Sequence, residues 1–203
     1  MAIDFSNPDL AWLRQYFSQA RSPEGTLYGD QDARPAAEGL REASVLVPIV
    51  ARHDQPTVLF TQRTAHLKNH SGQISFPGGR TEADDEGPEG TALRETWEEV
   101  GLPPGRVELL GRLSEYHTRT GYRITPVVGI VQPPFDLKPD ANEVAEVFEV
   151  PLAFLLDERN HQRHTREHEG QQRAYFAIPY RERYIWGATA GMLVNLHRYL
   201  SAG

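Results

Sequence analysis

Three glutamates in one short stretch are the residues of this chain best suited to chemistry. Glu95, Glu98 and Glu99 follow one another at i, i+3 and i+4 in a segment predicted to be helical from about Gly87 to Val100. This spacing places the three carboxylates on one helical face, about 5–6 Å apart at Cβ. Like charges so close together repel each other, and a hard divalent cation such as Mg²⁺ or Mn²⁺ would offset the repulsion. The pattern therefore predicts a metal site, and the alternative is an ordinary solvated acidic helix.

Two neighbouring features of the sequence favour the metal site. Arg94 lies four residues before Glu98, where a guanidinium neutralises part of the repulsion between the carboxylates. The pair Gly78-Gly79 precedes the acidic helix, and glycine lets the backbone approach a bound group closely. We therefore expect the carbonyl of Gly79 to be a further ligand of the metal.

The whole string from the glycine pair onward resembles the Nudix box, G-x5-E-x7-R-E-U-x-E-E-x-G-U, where U is a bulky apolar residue. The match departs from the signature at two places. Counting forward from Gly79 puts the first acidic position at Asp85, whereas counting back from Arg94 puts it at Glu86. Thr96 stands where an apolar residue is usual. One extra residue in a loop costs little closure entropy, so the motif is kept while the choice between the two acidic residues stays open.

A second signature directly precedes the box. The sequence from Leu59 to Gly79 follows the pattern L-[LF]-T-x-R-[ST]-x3-[RK]-x3-G-x3-F-P-G-G and resembles the coenzyme A pyrophosphatase branch of the Nudix hydrolases. It departs from that branch mildly, with Phe60 in place of leucine, Thr64 in place of serine or alanine, and Lys68 in place of arginine. With two later segments, at 120–129 and 184–191, the resemblance extends over residues 43–192.

The resemblance implies an α/β fold, a Nudix-type α/β/α sandwich with a mixed β-sheet. It also implies an activity, the hydrolysis of the diphosphate bond of coenzyme A or its thioesters. The products would be 3′,5′-ADP and 4′-phosphopantetheine or its acylated form, and the cofactor would be Mg²⁺ or Mn²⁺. The alternatives are a Nudix hydrolase acting on another nucleoside diphosphate derivative, such as ADP-ribose or NADH, and an inactive nucleotide-binding module.

Roles for individual residues follow from the same resemblance. The catalytic residues would be Glu95 and Glu98, oriented by Arg94, together with Glu143. The general base would be either a box glutamate or an acidic residue from a later loop, and of the later residues Glu143 is preferred to Glu146. The metal ligands would be Glu95, Glu98, Glu99 and Gly79, and the substrate-binding residues would be Arg63, Lys68, Gly72, Phe76 and Tyr122. The stretch containing His161, His164 and His168 could suggest zinc, but it lacks a zinc-protease order and is interpreted as a solvated loop.

Composition limits the possible partners. The chain has 203 residues, a net charge of −7 and no cysteine. The acidic balance argues against nucleic-acid binding, and the lack of cysteine removes thiolate metal sites. No apolar run approaches the ~20 residues of a membrane helix, and the N-terminus does not resemble a signal peptide. We expect a cytoplasmic protein with a small-molecule substrate and a possible homodimer.

The order of the predicted elements indicates one globular domain. Residues 1–40 are predicted to form an N-terminal helix, starting at Asn7-Pro8, and a connecting arm, and residues 41–203 the Nudix domain. Strands are expected near 43–51, 57–61, 107–113, 124–131 and 144–150, with a hairpin at 174–186 and a closing helix at 188–200. Because strands and helices do not alternate regularly, the pattern favours a mixed sheet over a doubly wound one.

Overall fold

The computed structural model describes residues 8–19, 27–28, 39–66, 72–118, 120–168 and 170–202. Four helices lie in these residues, at α1 (Leu10–Ser18), α2 (Gly87–Val100), α3 (Leu152–Leu156) and α4 (Ala188–Ser201). The strands are β1 (Leu27–Tyr28), β2 (Arg41–Val50), β3 (Thr57–Arg63), β4 (Ile74–Ser75), β5 (Gly78–Arg80), β6 (Val107–Arg112), β7 (Tyr116–His117), β8 (Tyr122–Val131), β9 (Val144–Pro151), β10 (Gln162–His168), β11 (Gln171–Tyr180) and β12 (Arg183–Trp186).

A mixed sheet of nine strands forms the centre of the fold. Strand β2 runs parallel to β8 over its whole length and antiparallel to β3 and β5. Strand β3 pairs in turn with β9 and β4, and β8 pairs with β6 and β7. The short strand β5 therefore lies beside β2, which places the glycine pair at the edge of the central strands.

The two faces of this sheet are covered by different helices. Leu46 of β2 packs with Ala92 and Val100 of α2 on one face. On the other face, Val47 packs in a cluster that includes residues of α1, α3 and α4, among them Leu193. Neighbouring residues of a strand point to opposite faces, so β2 contributes to both clusters. The predicted mixed α/β architecture, with helices on both faces of a mixed sheet, is confirmed.

A second, antiparallel sheet is built from β10, β11 and β12. The predicted hairpin corresponds to β11 and β12, which register through Ile178 and Ile185, both fully buried. The interpretation of the histidine stretch as a loop was wrong, because residues 162–168 pair with β11 as strand β10. The polar residues of β10 fit its place at the edge of the sheet, where most of its described side chains are exposed.

The N-terminal helix packs into the core of the protein. It begins at Leu10, because Asp9 is the N-cap and its carboxylate accepts a hydrogen bond of 2.9 Å from the backbone N–H of Ala11. The predicted start at Asn7-Pro8 was therefore wrong. Leu13 is fully buried in the cluster that α4 also joins. Most of the predicted connecting arm lies outside the described residues, and the boundary at residue 40 stays a prediction. No helix in the part of the chain described is both long and apolar enough to cross a membrane.

Candidate active site

The box helix α2 matches its predicted bounds, and its ends explain why. Pro88 lies in the first turn, where its fixed φ fits a helix and its missing N–H is not needed. Gly101 ends the helix in the left-handed conformation, at φ 69°, and its N–H donates to the carbonyl of Trp97 at 2.8 Å. Thr96, at the usually apolar position of the box, is buried and donates its hydroxyl to the carbonyl of Ala92 at 2.6 Å. Its polar group is therefore satisfied within the helix.

Glu99 lies on the buried side of α2, facing the glycine pair. Its side chain is only 8% exposed, and one carboxylate oxygen accepts a hydrogen bond from the N–H of Gly78 at 3.3 Å. The other oxygen lies 3.7 Å from a guanidinium nitrogen of Arg63. Burial is the dominant effect and raises the pKa of Glu99 to about 8. A carboxylate in this position gains from any additional positive charge that comes near it.

Glu95 occupies the space that a side chain at position 79 would need. A Cβ added to Gly79 would lie 2.4 Å from a carboxylate oxygen of Glu95, closer than any side chain tolerates. Burial raises the pKa of Glu95, and the neighbouring charges of Glu98 and Glu143 add to this effect while Arg94 opposes it. Glycine at this position lets the Glu95 carboxylate lie against the loop backbone, and a Cβ here would displace that carboxylate.

Arg94 joins the acidic residues around it into one network. Its guanidinium binds Asp85 in a bidentate pair, with N–O distances of 2.8 and 2.9 Å. The remaining donors reach Glu95 at 3.0 Å, Glu98 at 3.1 Å and the carbonyl of Arg80 at 2.9 Å. Arg94 thereby donates hydrogen bonds to two of the predicted metal ligands, Glu95 and Glu98, as an orienting residue would.

The structure favours Asp85 over Glu86 as the acidic residue of the box. Asp85 is almost fully buried, and besides Arg94 it accepts hydrogen bonds from Thr91 at 2.9 Å and from the N–H of Glu82 at 2.8 Å. The Arg94 guanidinium holds the pKa of Asp85 well below its usual range. Glu86 is exposed and makes no capping hydrogen bond at the start of α2. The extra residue of the loop therefore falls after the acidic position.

The two candidates for the general base lie on opposite faces of the main sheet. A carboxylate oxygen of Glu143 lies 4.0 Å from the Arg63 guanidinium, on the side of Glu99. Its backbone carbonyl accepts a hydrogen bond of 2.9 Å from the N–H of Thr64, which ties its loop to the end of β3. Glu146 instead forms an ion pair with Arg183 on the other face. Only Glu143 shares a site with the box glutamates.

Comparison with known proteins identifies the family. The NUDIX domain family model matches residues 40–174 of this chain. The chain is 41% identical over 156 residues to NudL of Escherichia coli K12, an uncharacterized Nudix hydrolase, covering 77% of this chain and 81% of that protein. The chain belongs to the NUDIX family.

Solved Nudix structures resemble the fold at lower identity. The Nudix hydrolase RenU of M. smegmatis is 24% identical, with a TM-score of 0.48, over 64% of this chain and 80% of that one. The NUDIX domain of Shewanella oneidensis NrtR, complexed with ADP ribose, is also 24% identical, with a TM-score of 0.45, over 62% of this chain and 82% of that one. As a Nudix hydrolase, this chain is an enzyme of a family that acts on nucleoside diphosphate derivatives and generally uses divalent metal ions.

The predicted substrate-binding residues of this Nudix hydrolase lie in different environments. Arg63 reaches the corner between Glu99 and Glu143, as described above. Gly72 forms a turn at φ 68° with open space beside it. Phe76 is buried and stacks on Phe60, with ring centroids 5.1 Å apart. Tyr122 is partly buried, and the guanidinium of Arg41 lies 4.0 Å from its ring centroid, so one face of the ring is covered. Lys68 lies outside the described residues.

The donor set of this site fits a divalent cation by its chemistry. Within the described ranges, no three Asp, Glu, His or Cys side chains converge closely enough to chelate an ion as they stand. Arg94 lies between the carboxylates of Glu95 and Glu98 instead. Five carboxyl groups of this network, those of Asp85, Glu95, Glu98, Glu99 and Glu143, share the two guanidinium groups of Arg63 and Arg94. Hard oxygen donors in excess of positive charge are the setting in which Mg²⁺ or Mn²⁺ binds proteins.

Two of the three histidines that could have suggested zinc are used elsewhere, and the side chain of His168 lies outside what the structure describes. A ring nitrogen of His161 lies 2.7 Å from the carbonyl of Leu155, and its ring packs edge-on against His197. His164 stacks on Tyr175 in the second sheet. These contacts give both histidines structural roles within the described residues.

Proposed function

We propose that this Nudix hydrolase cleaves the diphosphate bond of coenzyme A or its thioesters. The products are 3′,5′-ADP and 4′-phosphopantetheine or its acylated form. One observation carries the proposal: Arg63, from the motif that precedes the box, lies 3.7 Å from Glu99 of the box. The two motifs therefore contribute to one site, and the motif that resembles the coenzyme A branch supplies a guanidinium beside the acidic cluster.

The proposed metal ligands are Glu95, Glu98, Glu99 and the carbonyl of Gly79, holding Mg²⁺ or Mn²⁺. When bound, the ion neutralises the diphosphate and lowers the pKa of a water molecule. Arg94 keeps two of these carboxylates in place through the hydrogen bonds it donates to them. Because Asp85 is held bidentately on the other side of the guanidinium, Arg94 is fixed on both sides.

Substrate binding is assigned to the cationic and polar groups around this cluster. Arg63 offers guanidinium donors to a phosphate group, and Lys68 contributes a second positive charge from the same motif. Coenzyme A carries a 3′-phosphate on its ribose in addition to the diphosphate, so two cationic groups suit it. Gly72 allows close approach of the backbone, and the partly buried Tyr122 supplies an apolar surface. Phe76 is buried and acts indirectly, by supporting the loop from the core.

Glu143 is proposed as the general base. It lies on the same face as Glu99, it is about half exposed to solvent, and the Arg63 guanidinium is 4.0 Å away. We expect Glu143→Gln to lower kcat about a hundredfold, the usual size of a general-base effect. Glu146→Gln removes the other candidate, which pairs with Arg183 instead of lying beside the box glutamates, and should retain a kcat within a few-fold of the wild type. Equal activity of the two variants would remove Glu143 from the mechanism.

Product analysis of coenzyme A incubated with the protein tests the function directly. We expect 3′,5′-ADP and 4′-phosphopantetheine with Mg²⁺ or Mn²⁺, no product with EDTA, and strong loss of activity in Glu98→Gln and Glu99→Gln. Glu158→Gln, at an exposed position in the turn after α3, is the control and should remain active. Cleavage of ADP-ribose or NADH without cleavage of coenzyme A would contradict the substrate. Binding of coenzyme A without hydrolysis of any diphosphate would indicate a binding module.

A further inference from the structure

One arginine of the second sheet reaches across to the main sheet. The guanidinium of Arg183 donates to the side-chain oxygen of Gln62 at 3.0 Å and to Glu146 at 2.6 Å, and it makes a second contact with the same carboxylate. It also lies 4.4 Å from the ring centroid of Phe148 and 3.5 Å from the carboxylate of Glu182. The side chain of Arg183 is 18% exposed. These contacts bind β12 to the ends of β3 and β9.

Gln62, the residue held by Arg183, directly precedes Arg63. The register between β3 and β9 shifts between these two residues, which marks an irregularity in the ladder. The extra residue of this bulge is Ala145 of β9, so the side chains of β3 keep their regular alternation. Gln62 shares a face with the buried Phe60, so Arg63 points to the opposite face, toward Glu99 and Glu143. The hold on Gln62 therefore acts on the strand segment that carries Arg63, next to the irregular pairing with β9.

Two further hydrogen bonds involve the same short segment. The side-chain amide of Gln62 donates to the carbonyl of Gly72 at 3.4 Å, and the N–H of Arg63 donates to the carbonyl of Gln73 at 2.9 Å. The orientation of Gln62 is fixed by Arg183, because the guanidinium has only donors and must face the amide oxygen. The amide nitrogen is thereby left to bind Gly72.

We propose that Arg183 is a positioning residue for Arg63. By holding Gln62 at the end of β3, it keeps the Arg63 guanidinium at the corner formed by Glu99 and Glu143. The inference rests on the proposed function in one respect, the contact of Arg63 with a phosphate group of the substrate. It makes the second sheet a part of the active-site architecture, since Arg183 lies on β12.

The chain contains a matched control for this arrangement. Arg52 forms the same kind of two-pronged pair with Glu149, at 3.1 and 2.6 Å, and its guanidinium lies 5.2 Å from the ring centroid of Phe135. Glu149 is on β9, as Glu146 is, but it pairs with Leu59, away from the irregular end of β3. Loss of Arg52 thus removes a similar arginine–glutamate pair and leaves the hydrogen bond between Arg183 and Gln62 in place.

The test compares Arg183→Met, Arg63→Met, the double variant and Arg52→Met. We expect Arg63→Met to raise KM about tenfold and Arg183→Met about fivefold, with kcat within about threefold, the size expected for charge-assisted hydrogen bonds. If Arg183 acts through Arg63, the double variant has the KM of Arg63→Met alone, because the two effects share one interaction. Arg52→Met should leave KM within about twofold, and its effect should add to that of Arg63→Met.

Amide hydrogen exchange supplies a readout that does not require turnover. We expect the N–H groups of Arg63 and Thr64 to exchange about tenfold faster in Arg183→Met and at the wild-type rate in Arg52→Met. Arg183→Lys keeps the charge beside Glu146 but loses the planar fork, and it should show part of both effects. If Arg183→Met does not fold, Arg183→Lys replaces it in both measurements.

The possible outcomes separate this inference from the proposed function. If the wild type cleaves ADP-ribose or NADH instead of coenzyme A, the substrate proposal fails, and the same KM comparison is made on the diphosphate that is cleaved. If no diphosphate is cleaved, the exchange rates decide. An unchanged KM in Arg183→Met, an additive effect in the double variant, or unchanged exchange at Arg63 and Thr64 would overturn the positioning role.

Discussion

The buried carboxyl group of Glu99 predicts that the metal-free protein loses stability as the pH rises. Burial of this side chain raises its pKa from 4.5 to about 8. A carboxyl group with a higher pKa in the folded state binds its proton more tightly there than in the unfolded chain. Its contribution to stability is therefore fully present below pH ~4 and is lost as the pH rises through about 8. Replacing Glu99 by glutamine should remove this dependence.

The size of the effect follows from the change in pKa. Each pKa unit corresponds to about 1.4 kcal/mol of folding free energy. A rise of the pKa from 4.5 to about 8 therefore lowers the stability by roughly 4 to 5 kcal/mol between a pH well below 4.5 and a pH well above 8. Glutamine keeps an oxygen that can accept the hydrogen bond from Gly78 and carries no charge to desolvate. We therefore expect Glu99→Gln to match the wild type near pH 4 and to be several kcal/mol more stable near pH 9.

Urea unfolding in EDTA, followed by circular dichroism from pH 4 to pH 9, measures this difference. Glu98→Gln is the matched control on the same helix, where the side chain is 56% exposed, and it should keep the wild-type slope. Added Mg²⁺ or Mn²⁺ should stabilise the wild type at pH 8.5 and leave Glu99→Gln less affected. If the stability of the wild type and of Glu99→Gln changes with pH in parallel, burial does not raise the pKa of Glu99 to about 8.

Two other substitutions test the loop before the box helix. Asp85→Asn should lower the free energy of unfolding by about 3 kcal/mol, since it breaks a largely buried ion pair. Glu86→Gln should change it by less than about 0.5 kcal/mol. Chemical denaturation measures both values, and a larger loss of stability in Glu86→Gln would contradict Asp85 as the acidic residue of the box. Gly79→Ala should lower kcat/KM about a hundredfold, because its Cβ would displace the Glu95 carboxylate. Gly105→Ala, where a Cβ meets nothing within 4 Å, is the control, and equal activity of the two alanine variants would refute the close contact.

Much of the fold could be predicted from local sequence. The box helix was predicted over the residues it occupies, and Pro88 and Gly101, residue types common at helix ends, lie at its two ends. The central strands were predicted within a few residues for the same kind of reason, since runs of β-branched residues end at turn residues. The start of α1 was missed because the N-cap is Asp9, and aspartate and asparagine, the residue type at position 7, are equally good caps.

The second sheet was only partly foreseen. Residues 162–168 have neither an apolar run nor an alternating pattern, so nothing in their sequence marks a strand. They are held as β10 by backbone pairing with β11, through pairs such as Thr165 with Ala174. Backbone hydrogen bonds do not depend on side-chain type, and an edge strand in particular can carry polar residues on its exposed positions.

The sequence by itself determined the kind of chemistry. Glu95, Glu98 and Glu99 at helical spacing, beside Arg94 and a glycine pair, specify a cluster of hard oxygen donors, because helix geometry is local. Only the tertiary structure decided how each carboxyl group behaves. Burial against the β2–β5 edge raises the pKa of Glu99, and the two sides of one sheet separate the otherwise similar residues at 143 and 146. The burial of a side chain, and the side of the sheet on which it lies, depend on segments that are distant in the chain. The spacing of residues within one segment therefore does not predict either of them.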